Sequence, residues 1–285
     1  MGKNFRMPII DINNLSFTYA GTSSPSIRNI DLKVDKGEFI LLTGPSGCGK
    51  TTFCRCLNGL IPNFYNGTFD GSVKIHNLDT TKNAINDLAK HVGMVFQNPE
   101  NQLFSLSVER DIAFGPENLA LSREEIKKRI DWALKVTDVS DLRDMAPYEL
   151  SGGQQQSVAI ASVLAMKPKI LVLDEPTSFL DPKSASDLLK TISDLNRKLK
   201  LTIILIEHRL DLASKYVNRV LIMNEGKIIS DGPPSDVYNE DMYLLGVGIP
   251  KITLLFYLLK KDGIKIKKVP VYLEDAVDIL RKRLP

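Results

Sequence analysis

Eight consecutive residues constrain this chain more than any others. Gly44, Pro45, Ser46, Gly47, Cys48, Gly49, Lys50 and Thr51 spell G-x-x-x-x-G-K-T. They follow a short apolar run, Glu38–Thr43, suited to a buried strand, and precede a helix expected over Lys50–Leu60. Strand, glycine loop and helix in that order begin many phosphate-binding α/β folds. Glycines let backbone N–H groups curl around phosphate oxygens, and the helix N-terminus adds partial positive charge. In that setting Lys50 can reach the β- and γ-phosphates of a nucleotide, and Thr51 can ligate Mg²⁺. Thr52 completes the phosphate-facing set.

A second motif supplies acids. The apolar run Ile170–Leu173 ends in Asp174 and Glu175. An aspartate there can hold the Mg²⁺ shell, and the following glutamate can polarise the attacking water. Two carboxylates beside a magnesium nucleotide imply hydrolysis rather than passive binding.

The rest of the chain alternates in the same manner. β-Branched runs at Ile9–Tyr19 and Ile27–Val34 flank the turn residues 21–25. Further strands are expected at Ser72–His76, His91–Phe96, Lys169–Asp174 and Leu201–Ile206, with a helix over Pro182–Leu199. Alternating apolar strands and helices argue for a parallel sheet covered on both faces. Between about 97 and 166 the pattern turns helical. Ser122 and Glu125 are spaced as a capping box, and Ile126, Ile130, Ala133 and Leu134 form one apolar face beside Trp132. Another helix is expected over Ser151–Met166, and two more, Ile252–Lys261 and Tyr272–Arg283, in a tail beyond Gly248.

Length and composition set the outer limits. The 285 residues allow one large domain plus an appendage, or two small ones. With 43% hydrophobic and 25% charged residues, the chain is an ordinary globular one. A net charge of +3 does not argue for nucleic acid. Three cysteines, all within residues 48–56, read as reduced thiols rather than a disulfide framework. The stretch Met1–Asp11 lacks the apolar core of a secretory signal. The longest apolar candidate, Leu244–Leu259, is broken by Gly246, Gly248, Pro250 and Lys251, short of the ~20 residues a membrane helix needs. The reading is a soluble chain, free to dock onto a membrane protein.

The most selective motif is Leu150, Ser151, Gly152, Gly153 and Gln154. Its glycines open a helix capped by Ser151, a second phosphate-binding helix start. Here the chain resembles the ATP-binding cassette family, in which LSGGQ lies between the phosphate loop and the strand that ends in Asp-Glu. The resemblance spans about residues 8–232. It implies a P-loop α/β core, a parallel sheet plus an antiparallel β subdomain, with an inserted helical subdomain near 98–166. Residues 1–248 would form this nucleotide-binding domain and 249–285 a helical extension of the dimerisation type.

The resemblance also assigns roles. Tyr19 matches the aromatic that stacks on adenine, Gln97 the glutamine that contacts Mg²⁺ and water, and His208 the switch histidine that bonds the γ-phosphate. Glu175 matches the general base. Ser178 to Asp181 match the loop that crosses to the opposite subunit, so Asp181 belongs to the composite site. In the family, ATP is sandwiched between one subunit's glycine loop and another's LSGGQ. A single copy of each motif therefore implies a head-to-tail dimer, with an identical or a paralogous partner. Three positions depart from the pattern: Ser157 stands where an arginine is usual, Phe179 where a small residue is usual, and Glu207 precedes the histidine.

Around Phe96–Phe104 and Ser107–Leu119 the sequence is similar to the ATPase subunits of energy-coupling factor transporters. That branch implies import of a vitamin or a transition-metal ion, such as cobalt or nickel. It also implies a transmembrane coupling protein, a substrate-capturing membrane subunit and a peripheral place on the cytoplasmic face. The basic tail, with nine Lys/Arg against four Asp/Glu over 249–285, reads as a solvated face or a neighbour of anionic lipid. Alternatives are the ATPase of another importer or a regulatory cassette without transport; intact Glu175 and His208 argue against a module that never turns over. The interval 52–149 has no room for the long coiled coil of chromosomal cassettes, so no nucleic acid is expected. One cassette rather than two speaks against a translation factor. No Asn-Lys-x-Asp guanine motif occurs.

Overall fold

The structure is a computed structural model that describes residues 7–281. Residues 1–6 of the amino-terminal reading, and 282–283 of the last expected helix, lie outside the described residues.

The chain opens with β1 (Ile10–Tyr19), β2 (Ile27–Val34) and β3 (Phe39–Thr43), then enters α1 (Lys50–Leu57) and the short α2 (Leu60–Asn63). β4 (Gly67–Ile75), β5 (Leu78–Asp79), α3 (Ile85–Ala89) and β6 (Val92–Val95) follow. The helical insertion holds α4 (Val108–Asn118), α5 (Arg123–Val136) and α6 (Gly152–Leu164). The α/β pattern resumes with β7 (Ile170–Asp174), α7 (Pro182–Leu199), β8 (Thr202–Ile206), α8 (Leu210–Ala213), β9 (Arg219–Asn224) and β10 (Lys227–Gly232). Four helices close the chain: α9 (Pro234–Val237), α10 (Glu240–Leu244), α11 (Lys251–Lys261) and α12 (Leu273–Arg281).

Two sheets organise these elements. An antiparallel sheet has the order β2-β1-β4-β5, and a six-stranded sheet the order β10-β9-β3-β8-β7-β6. In the second, β6, β7, β8, β3 and β9 run parallel and only β10 is antiparallel. Period-two alternation splits its strands between two cores. Ile40, Leu42, Ile170, Val172, Ile204 and Ile206 face α1 and the antiparallel sheet. Phe39, Leu41, Leu171, Leu173, Ile203 and Leu205 face α6 and α7. Burial on both faces explains why these strands read as unbroken apolar runs. A third cluster, built on Val108, Ile112, Ile130, Leu134 and Val158, joins α4, α5 and α6, and Trp132 packs at its edge. In the tail, Thr253, Phe256 and Ala276 are buried, and Val247, Ile249 and Val271 join the core under α7.

Several sequence expectations need correction. The helix after the glycine loop ends at Leu57, not Leu60, because Asn58 caps it and Gly59 turns left-handed at φ +77°. The strand expected from Ser72 begins at Gly67, because β1 pairs along its whole length as far as Tyr19. The box at Ser122 is half formed. Ser122 accepts from the Glu125 N–H, but the Glu125 carboxylate turns to Arg129 and Lys167 at 2.7 and 3.4 Å. The reciprocal box forms instead at Ser151 and Gln154.

Candidate active site

The glycine loop leaves the buried end of β3 and closes on α1. Gly44 and Gly49 are the positions where backbone geometry demands glycine. A Cβ at Gly44 would lie 2.0 Å from the Met223 carbonyl oxygen, and one at Gly49, with φ +108°, 2.5 Å from that of Ser26. Ser46 and Gly47 are exposed at the loop's crest, while Cys48 is buried beneath it. Burial pushes the Cys48 thiol above its usual range despite the neighbouring Lys50 ammonium. Lys50 is buried too, its Nζ donating to the carbonyls of Gly44 and Pro45 at 2.9 Å each.

Parallel register brings the acids to this loop. β7 lies beside β8, and Asp174 pairs with Ile206. One residue further on, the chain turns sharply: Glu175 has φ +48°, held by its N–H on the Ile206 carbonyl at 3.0 Å. That turn aims the Glu175 carboxyl across the strand ends. Gln97 Nε2 donates to Oε2 at 2.8 Å, Ser178 Oγ to the same oxygen at 3.1 Å, and His208 Nε2 lies 3.1 Å from Oε1. Gln97 and His208, distant in sequence, thus join the nearby Ser178 on one carboxyl.

Asp174 faces the loop itself, with the Thr51 hydroxyl 3.4 Å from Oδ2. Its carboxyl is raised above the ordinary range, first by burial and then by the like charge of Glu175. Among the described residues no group of three or more His, Cys, Asp or Glu could hold a metal ion. A hydroxyl, a carboxylate and an amide oxygen nonetheless make a hard-oxygen set of the kind Mg²⁺ takes. A buried carboxyl with only one long hydrogen bond fits such a cation. Thr52 is buried, its hydroxyl 3.3 Å from the Tyr19 phenol, which also accepts from Arg55 at 3.2 Å. Tyr19 therefore stands at the edge of the loop's helix.

The signature residues stand apart from this cluster. Ser151, Gly152 and Gln154 are exposed, and none shares a hydrogen bond with the glycine loop among the described residues. They lie instead beside α7: a Cβ on Gly153 would sit 3.7 Å from Ser184 and 3.8 Å from Leu180. Asp181 caps α7, accepting from the N–H groups of Lys183 and Ser184 at 2.9 and 3.1 Å. One side chain that sequence reading noted only as unusual is fully engaged. Glu207, 2% exposed, accepts from Thr177, His208 and Arg209. The available signal was an acid directly after an apolar strand.

A glycine loop, a buried aspartate followed by a half-buried glutamate, and a histidine at the ends of parallel strands define a P-loop ATPase of the cassette type. The profile of the ABC transporter family matches residues 27–178. An ABC transporter ATP-binding protein of Pyrococcus abyssi is 44% identical over 278 residues, 97% of this chain and 99% of that one. The energy-coupling factor transporter ATP-binding protein EcfA2 of Clostridium tetani is 43% identical over 282 residues, 96% of either chain. Among solved structures, cbiO1 of Clostridium perfringens, part of the ABC transporter complex cbiONQ, superposes with a TM-score of 0.76. It is 34% identical and covers 90% of this chain and 100% of that one. The chain belongs to the ABC transporter family.

Proposed function

We propose that the chain is the ATP-hydrolysing subunit of an energy-coupling factor importer that takes up a vitamin or a transition-metal ion. The observation that carries the hydrolytic reading is the convergence of Gln97, Ser178 and His208 on the Glu175 carboxyl. The transporter branch is supported by the 43% identity to the energy-coupling factor ATP-binding protein of Clostridium tetani. A carboxylate so oriented takes a proton from water as the water oxygen attacks the γ-phosphorus. The bond from that phosphorus to the β–γ bridging oxygen breaks, leaving ADP and phosphate. His208 orients Glu175 and bonds the γ-phosphate. Lys50 exchanges the Gly44 and Pro45 carbonyls for β- and γ-phosphate oxygens, and the backbone N–H groups of residues 46–52 cradle the rest. Tyr19 stacks on adenine. Thr51, Asp174 and Gln97 would hold Mg²⁺, which when bound neutralises charge on the phosphates.

The exposed Ser151, Gly152 and Gln154 and the half-buried Gly153, with Asp181 beside them, serve the glycine loop of a second ATPase subunit, an identical or a paralogous one. Each ATP then touches two chains only in the closed dimer, so binding favours closure and hydrolysis reopens it. Residues 1–248 act as the nucleotide-binding unit and 249–285 as the extension that holds the dimer. No helix among the described residues is long and apolar enough to cross a membrane. Membrane contact falls to a coupling protein and a substrate-capturing subunit, with the ATPase peripheral on the cytoplasmic face. Expression with its genomic neighbours, mild detergent extraction and identification of co-purifying chains tests the assignment. Recovery with two membrane proteins and ATP-dependent uptake of a vitamin or metal ion is expected; a partner set of another importer type overturns it.

A further inference from the structure

β8 is buried along its whole length, and the chain then places an acid, Glu207, in the interior at 2% exposure. A buried carboxyl is costly unless its oxygens are bonded. Here both are, by four neutral donors. Oε1 accepts from the Thr177 N–H at 3.1 Å and from the Thr177 hydroxyl. Oε2 accepts from the N–H groups of His208 and Arg209 at 3.0 and 3.2 Å.

The partners lie on two different segments. Thr177 belongs to the turn that follows Glu175, and residues 208 and 209 to the turn that follows β8. The neighbours of Glu207 tie the same two segments together: His208 Nε2 to the Glu175 carboxyl at 3.1 Å, and Arg209 Nη2 donating to the Leu180 carbonyl at 2.8 Å. Three consecutive residues thus brace the stretch 175–180, and only Glu207 does so with an interior side chain that also fixes the backbone N–H of His208. Because the loop carrying Phe179 and Asp181 follows directly, one carboxyl joins the histidine to the loop beside the signature helix.

We propose that Glu207 is a positioning residue: it fixes the His208 backbone against the 175–180 turn, setting the imidazole at Glu175. This inference rests on the roles given above to Glu175 and His208. Glutamine at 207 presents an N–H₂ group to N–H donors, so one side of the brace opens. Small displacements of catalytic groups cost large factors in rate.

The test is steady-state MgATP hydrolysis by the full chain, as Glu207→Gln, His208→Ala and the double variant. Glu207→Gln is expected to lower kcat by about tenfold or more while KM for ATP stays within about threefold, since the glycine loop is untouched. In the His208→Ala background the same substitution is expected to cost less than about twofold, because residues acting as a unit are not additive. Thr177→Val, which keeps the shape and removes one donor, gives a second measurement should Glu207→Gln not fold. It should lower kcat by about threefold and lose that effect without His208. A parent-like kcat in Glu207→Gln, or equal losses with and without His208, overturns the positioning role while leaving His208 in place. A parent-like kcat in His208→Ala overturns both the role of His208 and the inference built on it.

Discussion

His208 Nε2 and Glu175 Oε1 lie 3.1 Å apart although 33 residues separate them in sequence. The contact follows from the parallel register of β7 and β8, which sets Asp174 opposite Ile206. The left-handed turn at Glu175 then swings its side chain across the strand ends. Non-glycine residues adopt that conformation sparingly, and it concentrates at functional sites.

Glu175→Gln is expected to keep ATP binding and lower hydrolysis by orders of magnitude. Glutamine retains the size of the side chain but cannot take a proton from water at neutral pH. The variant should accumulate as a closed dimer with ATP, visible by size-exclusion chromatography. Hydrolysis near the parent rate would remove Glu175 from the role of general base.

Asp174→Asn is expected to raise Tm without nucleotide and to abolish turnover. The sign follows from its raised carboxyl: ionisation costs more in the fold than in the unfolded chain, so this group lowers stability as pH rises through the carboxylate range. Asparagine removes that penalty, and each ~1 kcal/mol recovered raises Tm by about 2 °C in a chain of this size. Thermal melts at pH 7 without nucleotide check it, and a lower Tm refutes it.

Lys50→Ala should weaken ATP binding by about tenfold or more, because it removes the charge facing the β- and γ-phosphates. Tyr19→Ala should cost on the order of 1–3 kcal/mol if the ring stacks on the base. Tyr19→Phe loses only the bonds to Thr52 and Arg55 and should bind nearly as the parent does. Calorimetric titration with MgATP separates the three; unchanged affinity in Tyr19→Ala returns the residue to a packing role.

A pH effect is expected away from the nucleotide. His91 is held below its ordinary value of 6.5, first by burial and then by Lys169 and His76, against which its ring stacks at 5.1 Å; Asp87 opposes weakly. The unfolded chain therefore binds a proton at this site before the fold does. The stability that neutral His91 contributes is complete above about pH 6.5 and is lost as pH falls below it. His91→Phe should flatten the decline of Tm between about pH 6.5 and 5. An unchanged slope assigns the acid sensitivity to other groups.

What the sequence made legible was local, and what it hid was long-range. The glycine loop, the acids after β7, the helix Pro182–Leu199 and the fold class are all carried by short contiguous patterns. The order of the six strands is not, because β3 lies between β8 and β9, far along the chain. Glu207 was legible only as an oddity beside His208, since its meaning depends on Thr177, which register alone brings near. Leu103 shows the same limit in the helical region. It lies within the stretch Phe96–Phe104 that carries the transporter resemblance, and it is half-buried between the α7 core and the α4–α6 cluster. Tertiary packing, not pattern, decided it.

The coupling contact proposed above, with a membrane partner, falls at Phe104 and Phe114. They follow Gln97, whose amide touches Glu175, so the nucleotide state can reach them. Phe104 is 66% and Phe114 49% exposed, and the rings meet edge to face at 4.8 Å. The buried Asp111 carboxyl accepts from the N–H groups of Phe104 and Ser105, fixing the loop that presents them. An exposed ring pair on a braced loop is the form of an interaction anchor rather than of a core. Phe104→Asp should therefore abolish assembly with the membrane subunits, or uncouple transport, while ATP affinity of the isolated subunit stays unchanged. Its Tm should fall by no more than a few degrees, since an exposed edge-to-face pair contributes about 0.5–1.5 kcal/mol. Co-purification, calorimetry and a thermal melt on the same preparation decide the matter. A large loss of Tm in the isolated subunit would show that the ring packs inside, and would end its assignment as a docking residue.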